Sequence, residues 1–139
     1  MLKLNFAVPA DDFSQAGEAS SKVKKALKQL GLAPQIVRRV AIAMYEAEIN
    51  MIIHANGGEV FCNVSPQAVT VILQDNGPGI PDVDKAMEAG YSTASPEARN
   101  LGFGAGMGLP NIEKYTDTLH IDTELGKGTT VTFSVLLNE

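Results

Sequence analysis

Leu2, Leu4, Phe6 and Val8 alternate with Lys3, Asn5 and Ala7, the period-two pattern of a strand that buries one face. Pro9 closes it. From residue 11 to about residue 30 the period lengthens. Phe13, Ala16, Ala19, Val23, Ala26, Leu27 and Leu30 recur at helical spacing among good helix formers, and Gly31 supplies a stop. Pro34 then stands where a helix accepts proline, in its first turn, and opens a second helix running to about His54. On that helix Ile36, Val40, Ala43, Met44, Ala47 and Met51 fall on one side and form a stripe that must face a core. Glu46 and Asn50, four positions apart, lie together on one edge of the stripe.

After Asn56, Gly57 and Gly58, two β-rich runs at 59–64 and 69–73 flank Ser65-Pro66-Gln67 and predict a hairpin. Residues 82–90 suit a short helix. Residues 91–106, rich in Ser, Pro, Asn and Gly, read as a long loop, and long ordered loops in compact domains are usually functional. A third helix from about 107 to 115 and two strands near 119–123 and 129–137, joined by Glu124-Leu125-Gly126-Lys127-Gly128, complete the pattern. Strands clustered into hairpins, with helices between them rather than in strict alternation, predict an α+β fold. Its form is a two-layer α/β sandwich, a mixed, mostly antiparallel sheet packed on about three helices.

At 139 residues the chain fits one domain spanning 1–139. An apolar fraction of 45% and a charged fraction of 19% are those of an ordinary globular protein. The net charge of -5 and isoelectric point near 5.0 argue against a general nucleic-acid binder, which holds phosphates with clustered Lys and Arg. Cys62 alone makes no internal disulfide, and it falls in a predicted strand as a buried, reduced thiol. With neither a signal run nor a membrane-length apolar span, the expected location is the cytoplasm.

Four segments could carry chemistry, and each has an ordinary structural alternative. Glu46 and Asn50 would look into the seam between helix and sheet, where polar groups need partners. Alternatively, Glu46 turns outward and Asn50 caps a carbonyl. Asp75-Asn76-Gly77-Pro78-Gly79 follows an apolar strand. Asp75 supplies an acceptor suited to an exocyclic amine, and the glycines allow a ligand to lie against the backbone. As a composition it is also a plain tight turn. Gly102-Phe103-Gly104-Ala105-Gly106-Met107-Gly108-Leu109 runs into a helix with Pro110 in its first turn, where free amides and the positive dipole end suit phosphate. It matches neither the dinucleotide fingerprint nor the P-loop, since no Lys follows; the alternative is a linker. Finally, Gly126-Lys127-Gly128-Thr129-Thr130 makes a hairpin turn whose Thr129 hydroxyl could reach the same base as Asp75.

The four together, in this order, resemble the GHKL ATPase superfamily of histidine kinases, gyrase-type topoisomerases and related chaperones, over residues 34 to the end. Tyr45-Glu46-Ala47-Glu48-Ile49-Asn50, Gly90-Tyr91-Ser92-Thr93 and Gly104-Ala105-Gly106-Met107-Gly108-Leu109-Pro110 are similar to the anti-sigma-factor serine/threonine kinases, most of all their stressosome switch-kinase branch. The resemblance implies a Bergerat-type ATP-binding fold, with ATP and Mg²⁺ as cofactors. It implies that Glu46 orients or deprotonates the attacking hydroxyl and that Asn50 helps hold Mg²⁺. Asp75 and Thr129 would hold adenine, with Gly77, Gly79 and Ile80 against the base. Gly102, Gly104, Gly106, Met107, Gly108 and Leu109 would close over the phosphates.

One departure bears on the phosphates. Some relatives place a basic residue just before the Asn, where this chain has Ile49, so the charge falls to Mg²⁺, Lys127, Lys114 or Arg99. Neither His54, at a helix end, nor His120, in a strand, is placed as a phospho-acceptor. The resemblance therefore implies a kinase that phosphorylates a small antagonist protein of STAS type in a partner-switching pathway. The alternative is a nucleotide-gated module that sequesters a sigma factor or regulator without significant kinase activity. Partners on either account are proteins, with a homodimer plausible and neither nucleic acid nor membrane bound directly.

Overall fold

The computed structural model describes residues 2–8, 17–54, 58–77 and 108–137. In chain order these form strand β1 (Leu2–Val8), helices α1 (Glu18–Gln29) and α2 (Pro34–His54), strands β2 (Gly58–Val64) and β3 (Ala68–Asp75), helix α3 (Gly108–Tyr115), and strands β4 (Thr118–Glu124) and β5 (Gly128–Leu136). The five strands make one sheet in the order β1-β2-β3-β5-β4, and all four of its pairings are antiparallel. The α+β sandwich expected from the pattern is the fold observed, with no parallel pair among the described strands.

Alternation decides which sheet face is covered. Val60, Cys62 and Val64 of β2, Val69, Val71 and Leu73 of β3, and Phe133 and Val135 of β5 are buried. They meet Val37, Val40, Ala43, Met44, Ala47 and Met51 of α2, together with Val23 and Leu27 of α1 and Ile112 of α3, in one core. The predicted α2 stripe is present in full, with Ile36 at its half-buried margin and Val37 added. Burial among these groups pushes the Cys62 thiol up to about 11, so it is a packing residue.

Helix α1 begins later than its periodicity suggests. Its N-cap is Gly17, at φ 88°, and no side chain of the cap itself bonds the first turn. Residues 11–16, including Phe13 and Ala16, lie outside the described residues. The amides of the first turn are met from another helix: Oε2 of Glu48 accepts from Ala19 N at 3.2 Å and Oε1 accepts from Ser20 N at 3.1 Å. Glu48 is 2% exposed. A signal for it stands in the sequence, since Glu48 lies four residues after Met44 and three before Met51, on the buried stripe itself.

Helix α3 is held at its far end by Arg39 of α2. The Arg39 Nε donates to the Tyr115 carbonyl at 3.0 Å, and its guanidinium pairs with Asp117 at 3.3 Å. Asp117 in turn accepts from the Leu136 amide at 2.7 Å, and these contacts lower its pKa below the usual carboxylate range. The hairpins close as the sequence suggests. The Ser65 hydroxyl accepts from the amides of Gln67 and Ala68 in one turn, and Lys127 N donates to the Glu124 carbonyl in the other.

Replacing Glu48 with Ala leaves two buried amides unmet and removes the cap of α1. Urea unfolding should show a loss of about 1–3 kcal/mol. The smaller loss is expected for Glu48→Gln, which keeps one acceptor.

Candidate functional site

Two residues either side of Glu48, at 100° per residue, place Glu46 and Asn50 roughly 160° away from it around α2. One flank of the helix therefore serves α1, and the other carries the candidate pair. Glu46 is half-buried, and its Oε2 accepts from Nδ2 of Asn111 at 3.4 Å. Burial raises the Glu46 pKa above the usual carboxylate value, while the Asn111 amide pulls it back. Asn111, in the first turn of α3, is absent from the sequence candidates. Its signal is a polar residue immediately before the fully buried Ile112, on the helix that follows the glycine-rich stretch.

Asp75 closes β3, where the register sets it opposite Thr129 of β5 and Gly58 of β2. Its Oδ1 accepts from the Gly77 amide at 2.8 Å and from the Thr129 amide at 3.2 Å. The two expected adenine residues are thus adjacent, joined through the Thr129 backbone. The Thr129 hydroxyl shares a hydrogen bond of 2.9 Å with that of Thr123. Gly128, at φ 134°, passes so close to the Asp75 carbonyl that a Cβ there would collide with it. No other residue type fits that approach without moving the strand.

Gly58 connects this corner to α2. A Cβ at position 58 would stand 2.6 Å from the Met51 methyl, so the turn of α2 that carries Asn50 adjoins the Asp75 end of the sheet. The structure therefore brings Asp75, buried Gly77 and Thr129 together, while Glu46 and half-buried Asn50 share one flank of α2. Gly108 and Leu109 lie in the first turn of α3. Gly79, Ile80, Gly102, Gly104, Gly106 and Met107 fall outside the described residues, as do the short helix at 82–90 and the loop at 91–106.

The described cations proposed for the phosphates are engaged elsewhere. Lys127 pairs with Glu124 at 3.0 Å in an exposed turn, and the Lys114 ammonium stands 5.4 Å from the centre of the Tyr115 ring. Arg99 is outside the described residues. Ile49 is 6% exposed and apolar, so it offers phosphate nothing. Among the described residues no three His, Cys, Asp or Glu side chains cluster to hold a metal. None of the described helices is long and apolar enough to cross a membrane.

Residues 8–135 match the histidine kinase-like ATPase domain, so the likeness extends upstream of residue 34 to take in α1. The chain is 30% identical over 108 residues to the serine/threonine-protein kinase RsbT of Bacillus subtilis, covering 75% of each. It is 31% identical over 129 residues to the anti-sigma F factor of Clostridium beijerinckii, covering 87% of each. Among solved structures, the RsbU and RsbW domains of a Mycobacterium tuberculosis protein superpose with a TM-score of 0.67 at 15% identity, over all of this chain and 34% of that one. The mycobacterial sensor histidine kinase MprB does so at 0.56 and 14%, over 97% of each chain. Both structures speak for the fold.

A carboxylate held half-buried is a cost to stability. Below the ordinary carboxylate value of about 4.3, Glu46 is protonated in folded and unfolded chains alike. As pH rises through its raised folded value, the unfolded state has already released its proton, and stability is lost. Glu46→Gln should therefore melt higher than the parent at pH 7, and the gain should vanish below about pH 4. Thermal melts across pH 3.5 to 7 read it.

Proposed function

Because the chain belongs to the histidine kinase-like ATPase family, we propose that it is an ATP-dependent protein serine/threonine kinase of the anti-sigma-factor type. Its substrate on this reading is a small antagonist protein of STAS type, in a partner-switching pathway of the bacterial cytoplasm. The observation that supports the reading is the pairing of Asp75 with Thr129 at the end of β3, next to the turn of α2 that carries Asn50. The relatives named as a serine/threonine-protein kinase and as an anti-sigma factor support the kinase type.

Asp75 is suited to adenine. Both amide bonds fall on Oδ1, which fixes the carboxylate while leaving Oδ2 to accept from the exocyclic amine. Gly77, Gly79 and Ile80 would flank the base, and the Thr129 hydroxyl can donate to a ring nitrogen. Gly102, Gly104, Gly106, Met107, Gly108 and Leu109 would cover the phosphates at the start of α3, where free amides suit anions. A single neutral oxygen, that of Asn50, fits a metal that keeps most of its waters and takes its other ligands from phosphate, so Mg²⁺ is the cation proposed here. It would supply charge neutralisation to the triphosphate. Glu46 accepts the proton of the substrate hydroxyl as that oxygen forms its bond to the γ-phosphorus and the bond to the β-phosphate oxygen breaks, releasing ADP.

Ile49 favours a second reading. With no basic residue there and Lys127 and Lys114 engaged elsewhere, transfer can be too slow to matter, leaving a nucleotide-gated module that sequesters a sigma factor or regulator. A homodimer is compatible with both.

Labelled MgATP incubated with candidate STAS domains separates the two. Transfer to a Ser or Thr is expected, falling about 100-fold or more in Glu46→Ala with ATP affinity retained. Equal transfer by that variant removes Glu46 as base, and nucleotide-dependent capture of a partner without transfer selects the second reading. Asp75→Asn keeps the acceptor at Oδ1 but presents an NH₂ where Oδ2 stood. Calorimetry should show ATP affinity falling by about 10- to 100-fold, with the melting temperature little changed.

A further inference from the structure

We propose that Asn111 is a positioning residue for phosphotransfer: its side-chain amide, donated from the first turn of α3 to Oε2 of Glu46, aims the carboxylate and ties it to the helix that follows the glycine-rich stretch. The proposal rests on the kinase reading above, with Glu46 as base. Three contacts set Asn111 in place. Its neighbour Ile112 is fully buried in the core, the Ile112 carbonyl accepts from the Thr116 hydroxyl at 2.8 Å, and Arg39 clamps the helix end at Tyr115. The backbone that presents Asn111 is thus anchored to α2 on the far side of the bond it makes.

The bond takes one oxygen of Glu46 and leaves the other, Oε1, to receive the proton of the substrate hydroxyl. A neutral donor suits the place. It holds the carboxylate without a formal charge that would drain its basicity, as a lysine there would. At 3.4 Å the bond is long, and a shift of a few tenths of an ångström by the first turn of α3 would bring it to ordinary length. That turn begins at Gly108.

The test compares Asn111→Ala with Asn111→Asp in the intact protein, by transfer kinetics and by carbon NMR titration of the Glu46 carboxyl, assigned from its absence in Glu46→Gln. If Asn111 acts by donation, kcat falls about three- to tenfold in Asn111→Ala and further in Asn111→Asp, while KM for ATP stays within about twofold. The Glu46 midpoint rises in both, and more in Asn111→Asp. If Asn111 only fills space, the isosteric Asp variant keeps its kcat while the Ala variant does not. That order, or a Glu46 midpoint unmoved in Asn111→Ala, overturns the proposal. Absence of transfer by the parent protein would count against the kinase reading, and the Glu46 midpoints alone then decide whether Asn111 holds the carboxylate.

Discussion

A buried carboxylate costs several kcal/mol to strip of water unless its lone pairs are met, and at Glu48 they are met by the amides of Ala19 and Ser20. That exchange fixes two things at once. It supplies the cap that Gly17 cannot give to α1, and it sets the rotation of α2 about its own axis. With Glu48 turned toward α1, helical geometry obliges Glu46 and Asn50 to face the opposite flank, where α3 lies. The helical layer is therefore ordered by one helix used on both sides, with its apolar stripe on the sheet between them.

The contrast between Glu46 and Glu48, two residues apart, shows how environment divides labour among identical side chains. Glu48 is 2% exposed and each of its oxygens accepts from a backbone amide, so it is closed off from a substrate. Glu46 has one long bond, to Asn111, and a pKa raised by burial. Such a group weakens the fold at neutral pH, and on the proposed reading it is the one that takes the substrate proton. Sites that keep a strained or unpaired group for chemistry commonly do so at some cost in stability. The two carboxylates are separated only by the face of the helix on which each stands.

The strands, the α2 stripe and both hairpins were legible because they depend on local period and turn chemistry: Val60, Cys62 and Val64 alternate, and Ser65 makes its own turn. The start of α1 was not, because it is decided by a bond to Glu48 from 28 residues away or more, which no local pattern encodes. Among site residues, Asp75 and Thr129 were recognisable as members of an ordered set of motifs, yet the atom that joins them, the Thr129 amide, is visible only in the register. Asn111 belongs to no motif. Its importance comes from the packing of α3 on α2, a property of tertiary arrangement.

Why the motifs must occur in this order follows from the sheet. Asp75 ends β3 and Thr129 begins β5, and antiparallel pairing of these two strands sets the end of one beside the beginning of the other. β4 precedes β5 in the chain but occupies the edge, so the returning chain re-enters the sheet next to β3 at this corner. The segment between β3 and β4, which carries the glycine-rich stretch, therefore leaves the sheet at Asp75 and rejoins the fold through α3, against Glu46. On the proposed reading, a nucleotide held between those two points would touch the chain where it departs and where it returns.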